Sequence, residues 1–138
     1  MAAALALLTG CGSIVETPGP DFTVTSLFLY VRRGDMTSAW QEFAAPAQAP
    51  GAAAAVTAPD GRPGTDVRWP DRASFDRTVR TELAPLLSGA RVTVTAKASQ
   101  SASVTAAARP PSRARAFFRL VRVDNEWVIT DLVVTGAG

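Results

Sequence analysis

The apolar residues of this chain change their spacing at Gly89, and this change constrains the fold more than any other feature of the sequence. Before Gly89 they recur every three or four residues, which is the spacing of one helical face. After Gly89 they alternate with polar residues, as in a strand with one buried side. Helices followed by short antiparallel strands predict an α+β domain, and 138 residues suffice for one such domain with a modest core.

The first two predicted helices share one hydrophobic core and are separated by a Gly-Asp pair. Asp21 or Thr23 can cap the first helix, and Gly34 can end it in the left-handed conformation. Asp35 can then accept the free amide protons of the second helix. Their buried faces hold Val24, Leu27, Phe28 and Val31 in the first helix and Met36, Ala39, Trp40, Phe43 and Ala44 in the second.

A third helix is predicted from about Pro70-Asp71 to Gly89. Pro85 should kink or end it, because proline lacks a backbone donor and clashes with the preceding turn. Its charged residues lie on one side and its apolar residues on the other, so this helix should also pack on the core. The apolar residues are Phe75, Val79, Leu83 and Leu86.

Four strands are predicted after Gly89, and short turns should join them into an antiparallel meander. Pro110-Pro111 ends the second strand, and Asp124-Asn125 makes the turn between the last two. The predicted strands are Val92–Lys97, Ser103–Ala108, Arg113–Val123 and Trp127–Val134. The expected architecture is therefore N-terminal helices packed on a curved, four-stranded antiparallel sheet.

Residues 45–64 consist almost entirely of Ala, Pro, Gly and small polar residues. Four prolines would break any helix that the alanines favour, and no apolar period joins this segment to a core. The prolines are Pro46, Pro50, Pro59 and Pro63. We therefore predict a flexible loop over 45–64.

Two segments of the chain carry a family resemblance. The first is FLYVRRGD (28–35) followed by Ala39-Trp40, which reads as a helix, a Gly-Asp break and a second helix. The second is FRLVRVDNEWVI (118–129), a hairpin whose turn is followed by Trp-x-Ile. They resemble the nuclear transport factor 2-like superfamily, the cone-shaped α+β fold of SnoaL-like and ketosteroid isomerase-like proteins and of many actinobacterial lipoproteins. The resemblance covers about 21–134 and implies a sheet and helices that enclose a pocket.

Enzymes of that superfamily hold an acid and a base in the pocket, and this sequence offers no clear pair. Histidine is absent, which removes the commonest general base near neutral pH and the commonest transition-metal ligand. Asp35 is better explained as a helix cap. We therefore predict no catalytic residue, no metal site and no cofactor. Aromatic residues expected in the pocket or the core are Tyr30, Trp40, Trp69 and Trp127, and we expect Trp40 and Trp127 to hold the helices against the sheet.

The third predicted strand carries a row of arginines. Alternation places Arg113, Arg115 and Arg119 on one face together with Phe117, and it places Ala114, Ala116, Phe118 and Leu120 on the other. Guanidinium groups at this spacing could bind anionic lipid headgroups, acidic envelope polymers or the carboxylates of a partner. The alternative is a solvated sheet face whose arginines pair with acidic residues of neighbouring strands.

The four residues Leu8-Thr9-Gly10-Cys11 follow a short apolar run and contain the only cysteine. They resemble a bacterial lipobox, which implies cleavage after Gly10 and attachment of a diacylglyceryl group, with fatty acids such as palmitate, to Cys11. Residues 1–10 are short for a signal peptide and lack a basic residue, so we expect a partial one. The alternative is a core helix in which Cys11 is buried and inert.

These features predict a lipidated tether over 11–20 and a single α+β domain over 21–138. The leading hypothesis is a non-catalytic lipoprotein, anchored outside the cytoplasm to the cell membrane, whose domain binds a partner protein or a small apolar ligand. An isomerase- or cyclase-like enzyme and a purely structural accessory domain are the alternatives. A deep pocket with a buried carboxylate would favour the enzyme, and a filled interior with an arginine-lined sheet face would favour binding. Nucleic acid is not an expected partner, and dimerisation through the sheet is left open.

Overall fold

Three helices and six strands make up the described part of the computed structural model, which comprises residues 18–43, 54–67 and 71–136. The helices are α1 (Pro20–Arg33), α2 (Met36–Gln41) and α3 (Arg72–Leu87). The strands are β1 (Ala54–Thr57), β2 (Pro63–Asp66), β3 (Ala90–Lys97), β4 (Ser101–Ala108), β5 (Arg115–Val123) and β6 (Glu126–Thr135). All six form one antiparallel sheet in the order β1-β2-β6-β5-β4-β3, so the fold is α+β, as predicted.

The predicted break between α1 and α2 is confirmed, whereas the predicted cap of α1 is wrong. Gly19 is the N-cap of α1 and Pro20 follows it, because the fixed φ of proline suits the first helical position. At the other end Gly34 has a φ of 77°, and its amide donates to carbonyls of the last turn. Asp35 caps α2 by accepting a hydrogen bond from the amide of Ser38 at 3.2 Å.

Helix α3 begins and packs as predicted but continues past Pro85 to Leu87. Asp71 caps its first turn by accepting a hydrogen bond from the amide of Ser74 at 2.8 Å. Pro85 removes only one amide donor near the end of the helix, and Leu83 and Leu86 on either side of it are buried in the core. Tertiary packing therefore outweighs the local cost of the proline.

The core fills the space between the helices and one face of the sheet, which we call the inner face. A bulge at Thr130 keeps this face apolar along β6. Trp127 and Ile129 are buried before the bulge, and the extra residue shifts the alternation so that Leu132 and Val134 are buried after it. The largest fully buried side chains are Phe75, Phe118, Leu27, Leu83, Leu86, Leu120, Ile129 and Leu132. Helices and sheet are thus joined by one continuous apolar layer.

The prediction of a four-stranded sheet is wrong, because β1 and β2 form a hairpin within the segment that we expected to be a loop. Pro63 is tolerated since it stands at the first position of a strand. Gly64 lets β2 approach β6 closely: a Cβ atom there would lie 3.1 Å from the Val133 side chain and from the Val134 carbonyl oxygen. Strand β1 pairs with β2, and β2 pairs with β6, so both strands join the sheet without an apolar period of their own. Residues 45–53 of the same segment lie outside the described residues.

Candidate functional site

The sheet face opposite the helices, which we call the outer face, carries the predicted arginine row. Arg115 and Arg119 are exposed and Phe117 is half-buried, whereas Ala116, Phe118 and Leu120 on the same strand are buried. Arg113 is exposed in the loop just before β5. The predicted division into two faces is confirmed from Arg115 to Leu120, whereas Arg113 lies outside the strand.

Two bulges lie on the same line across the outer face. Thr95 is the extra residue of β3 opposite Ser103, and Thr130 is the extra residue of β6 opposite Arg119. Ser103 and Arg119 are themselves register partners in β4 and β5. The Thr130 hydroxyl donates to the Arg119 carbonyl at 3.1 Å. Bulges bend the strands that carry them and change the direction of nearby side chains, so the sheet should bend along this line.

The tip of the β1–β2 hairpin is fixed over the outer face by polar contacts. One guanidinium nitrogen of Arg62 donates to the Arg113 carbonyl at 2.9 Å, and another donates to the Gly136 carbonyl at 3.4 Å. The Asp60 carboxylate accepts the Arg62 amide at 3.1 Å and lies 3.8 Å from the Arg115 guanidinium. These contacts connect the tip to β5 and to the end of β6.

A groove of about 520 Å³ lies between this tip and the outer face, and we call it the hairpin groove. Phe117 provides its aromatic surface, Asp60 lies on the hairpin side, and Arg119 lies on the sheet side. The remaining lining residues are Pro59, Thr95, Ala96, Ser103, Val104, Thr105 and Phe118. The guanidinium of Arg119 has no hydrogen-bond or ion-pair partner among the residues that the structure describes. The groove therefore combines apolar surface with a cation, whose register partner on β6 is Asp131.

A second cleft, of about 470 Å³, lies beside the β5–β6 turn, and we call it the Glu42 cleft. Burial, with a smaller contribution from the carboxylate of Glu126, raises the pKa of Glu42 to about 7. The position of Glu42 is fixed because its carbonyl accepts the Ile129 amide at 2.8 Å. The other lining residues are Pro18, Phe22, Thr23, Gln41, Asn125, Trp127 and Val128. A carboxyl group with this pKa can exchange a proton near neutral pH.

Replacing Glu42 with Gln should change how stability depends on pH. The folded-state pKa of about 7 exceeds the reference value of 4.5, so the folded protein binds more protons in this window and loses stability as the pH rises through it. If Glu42 were fully buried, ionising it would lower the free energy of unfolding by about 3 kcal/mol. Because Glu42 is half-exposed, we expect a loss of about 1 kcal/mol. Urea unfolding at pH 4.5 and pH 8 should show that Glu42→Gln is stabilising only at pH 8.

Glu82→Gln, on α3 and away from the cleft, is the matched control. In this variant the free energy of unfolding should differ between pH 4.5 and pH 8 by the same amount as in the parent. If Glu42→Gln also showed the parent's difference in unfolding free energy, the assignment of a raised pKa to Glu42 would be contradicted.

Tyr30, Trp40 and Trp127, the described members of the predicted aromatic set, do not share one pocket. Trp127 is buried, and its carbonyl accepts a hydrogen bond from the Thr23 hydroxyl at 3.0 Å, which joins β6 to α1. Trp40 is half-buried and packs edge-on against Phe75, with ring centroids 4.8 Å apart. Tyr30 is half-buried against the core. Trp127 thus lies where β6 meets α1, whereas Trp40 packs between two helices, so the expectation that Trp40 holds the helices against the sheet stays a prediction.

Among the described residues, the buried polar side chains are two threonines, Thr23 and Thr135. Each makes a hydrogen bond, to Trp127 and to the backbone of Arg115 respectively. The described ranges contain no group of three or more His, Cys, Asp or Glu residues that could hold a metal ion. The described interior therefore offers apolar packing in place of an acid–base pair.

Sequence reasoning missed Glu42, Asp60 and Arg62. Each acquires its role from a distant element: the β5–β6 turn buries Glu42, and the hairpin brings Asp60 and Arg62 to the outer face. The one local signal was Asp60-Gly61-Arg62, which is a turn sequence and would have indicated a hairpin if strands had been predicted beside it.

Cys11 and Trp69 lie outside the described residues, so their predicted roles stay predictions. In the described ranges, no helix is both long enough and apolar enough to cross a membrane. No family model, curated protein or solved structure matches this chain.

Proposed function

We propose that this protein is a non-catalytic lipoprotein of the bacterial cell envelope whose domain binds a small, largely apolar, anionic ligand in the hairpin groove. The sequence Leu8-Thr9-Gly10-Cys11 supports the lipid anchor. Three helices followed by four sequentially paired strands support a nuclear transport factor 2-like arrangement, which we propose as the fold.

The observation that carries the proposal is the chemistry of the hairpin groove. Its volume of about 520 Å³ lies within the range of about 300 to 1,000 Å³ that is typical of small-molecule sites. The half-buried Phe117 ring offers a flat apolar surface, and the Arg119 guanidinium offers charge-assisted hydrogen bonds to a carboxylate, sulfonate or phosphate. A ligand with an apolar body and one acidic group would match both features.

The arrangement of the two sheet faces supports binding over catalysis. An isomerase- or cyclase-like enzyme would need a cavity with an acid and a base between the helices and the sheet. In the described residues that space is occupied by large apolar side chains, while the arginines and the groove lie on the outer face. Glu42 has a raised pKa, but it lies in a separate cleft at the end of the sheet.

Binding of the aromatic sulfonate 8-anilinonaphthalene-1-sulfonate to the full chain with Cys11→Ser tests this proposal. The probe has an apolar ring system and one anionic group, and its fluorescence should rise when the folded protein binds it. Phe117→Ala should weaken binding about tenfold, since a buried aromatic contact contributes on the order of 1 kcal/mol or more. Arg119→Gln should weaken it by a similar factor.

Phe22→Ala is the matched control, because Phe22 is 58% exposed and lines the Glu42 cleft. Circular dichroism melts should show that the variants remain folded at the temperature of the titration. Equal weakening by Phe22→Ala and Phe117→Ala, or undiminished binding after loss of Phe117 and Arg119, would rule out the hairpin groove as the site.

A further inference from the structure

Five arginines surround one end of the sheet, where β4 ends and β5 begins. They come from four parts of the chain: the hairpin, β3, the β4–β5 loop and β5. They are Arg62, Arg91, Arg109, Arg113 and Arg115, and we call them the basic end. Two clefts of about 420 and 470 Å³ lie on either side of a ridge at Ala107, Ala108 and Pro110, and the five arginines line these clefts.

Most of this positive charge is not neutralised within the described residues. Asp60 is the acidic residue in the lining of the two clefts, and it lies 3.8 Å from the Arg115 guanidinium. The guanidinium groups of Arg91, Arg109 and Arg113, all on exposed residues, have no hydrogen-bond or ion-pair partner in the described ranges. Pairing with acidic residues of neighbouring strands therefore does not explain these arginines.

The arginines are spread along a line. Arg62 precedes β2 and Arg91 belongs to β3, and these strands are separated by β6, β5 and β4 in the sheet. Four strand spacings of about 4.8 Å each place the ends of the line about 19 Å apart. A single small anion would contact only one or two of the guanidinium groups, whereas an extended chain of anionic groups could contact most of them.

The basic end lies far from the point where the chain leads to Cys11. Strand β5 has nine residues, so Arg115 and Val123 are about 27 Å apart along it. Pro18 lines the Glu42 cleft with Asn125 and Glu126, at the Val123 end. With the proposed lipid at Cys11, the basic end is the part of the domain directed away from the anchoring membrane. This step rests on the proposed anchor.

We propose that the basic end binds an extended polyanion with repeated phosphate groups, outside the membrane that holds the anchor. Guanidinium groups form paired, charge-assisted hydrogen bonds with phosphate oxygens, and release of counterions from the polymer adds to the affinity. The two clefts give the polymer a path across the β3–β4 and β4–β5 side of the sheet. This surface adjoins the hairpin groove, and Asp60 lines both, but Phe117 and Arg119 line the groove and not the two clefts.

The test uses the full chain with Cys11→Ser, so that it does not depend on the anchor, and long-chain inorganic polyphosphate as the probe. Fluorescence anisotropy of labelled polyphosphate should report binding that weakens steeply as the salt concentration rises. Arg109→Gln combined with Arg113→Gln should weaken binding at least about tenfold at constant salt.

Arg77→Gln combined with Arg80→Gln is the matched control, since both residues are exposed on α3 and the net charge falls by the same amount. It should keep the parent affinity. Equal losses in the two double variants would show that only net charge matters and would overturn the proposal. Absence of polyphosphate binding, or strong binding to phosphatidylglycerol vesicles with weak binding to polyphosphate, would also overturn it. The polyphosphate measurement does not require the lipid anchor, so a failure of the anchor proposal can be told apart from a failure of the basic-end proposal.

Discussion

Replacing Phe75 with Ala should lower the melting temperature of the domain by about 15 °C or more. Phe75 is fully buried on α3, and its ring packs edge-on against Trp40 and Phe43, with centroids 4.8 and 5.5 Å away. Truncation of a buried phenylalanine costs about 3 to 5 kcal/mol, because apolar burial is lost and a cavity remains. That is a large part of the roughly 5 to 15 kcal/mol that stabilises a small domain.

Phe22→Ala is the control for this prediction. Phe22 is 58% exposed at the start of α1, so its removal should change the free energy of unfolding by no more than about 0.5 kcal/mol. The melting temperature of Trp40→Ala should lie between those of Phe75→Ala and Phe22→Ala. Trp40 is half-buried, and its ring centroid lies 5.9 Å from the Arg72 guanidinium. Thermal melts followed by circular dichroism give all three values. Similar melting of Phe75→Ala and Phe22→Ala would mean that α3 does not pack against α2 as described.

The elements that were predicted from the sequence are those whose signal is local. Val24, Leu27 and Val31 fix the buried face of α1 by their spacing, and Gly34 with Asp35 marks the break before α2 through its own backbone and side-chain chemistry. Alternation alone sorted β5 into an inner and an outer face. Such patterns depend on neighbours only a few residues away, so a single sequence contains them.

The β1–β2 hairpin could not be predicted in this way, because it joins the sheet through the pairing of β2 with the distant strand β6. Ala54–Thr57 and Pro63–Asp66 contain little that favours an extended backbone on its own. Gly64 is the position at which β2 approaches β6, and that requirement is visible only once β6 is in place. The hairpin forms one side of the groove over Phe117. The sequence therefore predicted the side of the candidate site that β5 provides and not the side that the hairpin provides.

The pKa of Glu42 was hidden for the same reason. Glu42 follows a six-residue helix and looks like an ordinary surface glutamate in the sequence. Its burial comes from the β5–β6 turn, which also brings Glu126 near. The bulges at Thr95 and Thr130 likewise carry no glycine or proline that would have marked them. Features made by contacts between distant segments are therefore the ones that the structure adds.

Replacing Cys11 with Ser should abolish attachment of the lipid and leave the upstream signal sequence uncleaved. Serine cannot form the thioether that would join Cys11 to a diacylglyceryl group, and the Gly10-Cys11 bond should then stay uncleaved. Each buried CH₂ of an acyl chain contributes about 0.8 kcal/mol, so two chains hold a protein stably whereas the described domain offers no helix that could replace them. We expect the incorporation of a labelled acyl chain to fall at least about tenfold.

The measurement is fractionation of bacterial cells that express each form behind a complete upstream signal sequence, together with labelling by an alkyne analogue of palmitate. Ser13→Ala, two residues after Cys11, is the control and should remain in the membrane fraction and take up the label. Absence of the label from the parent, or equal labelling of the parent and Cys11→Ser, would contradict the lipid anchor. Absence of the label from the parent would favour the alternative in which Cys11 is buried in a core helix. Cys11→Ser should then destabilise the folded protein, because a buried thiol tolerates serine poorly.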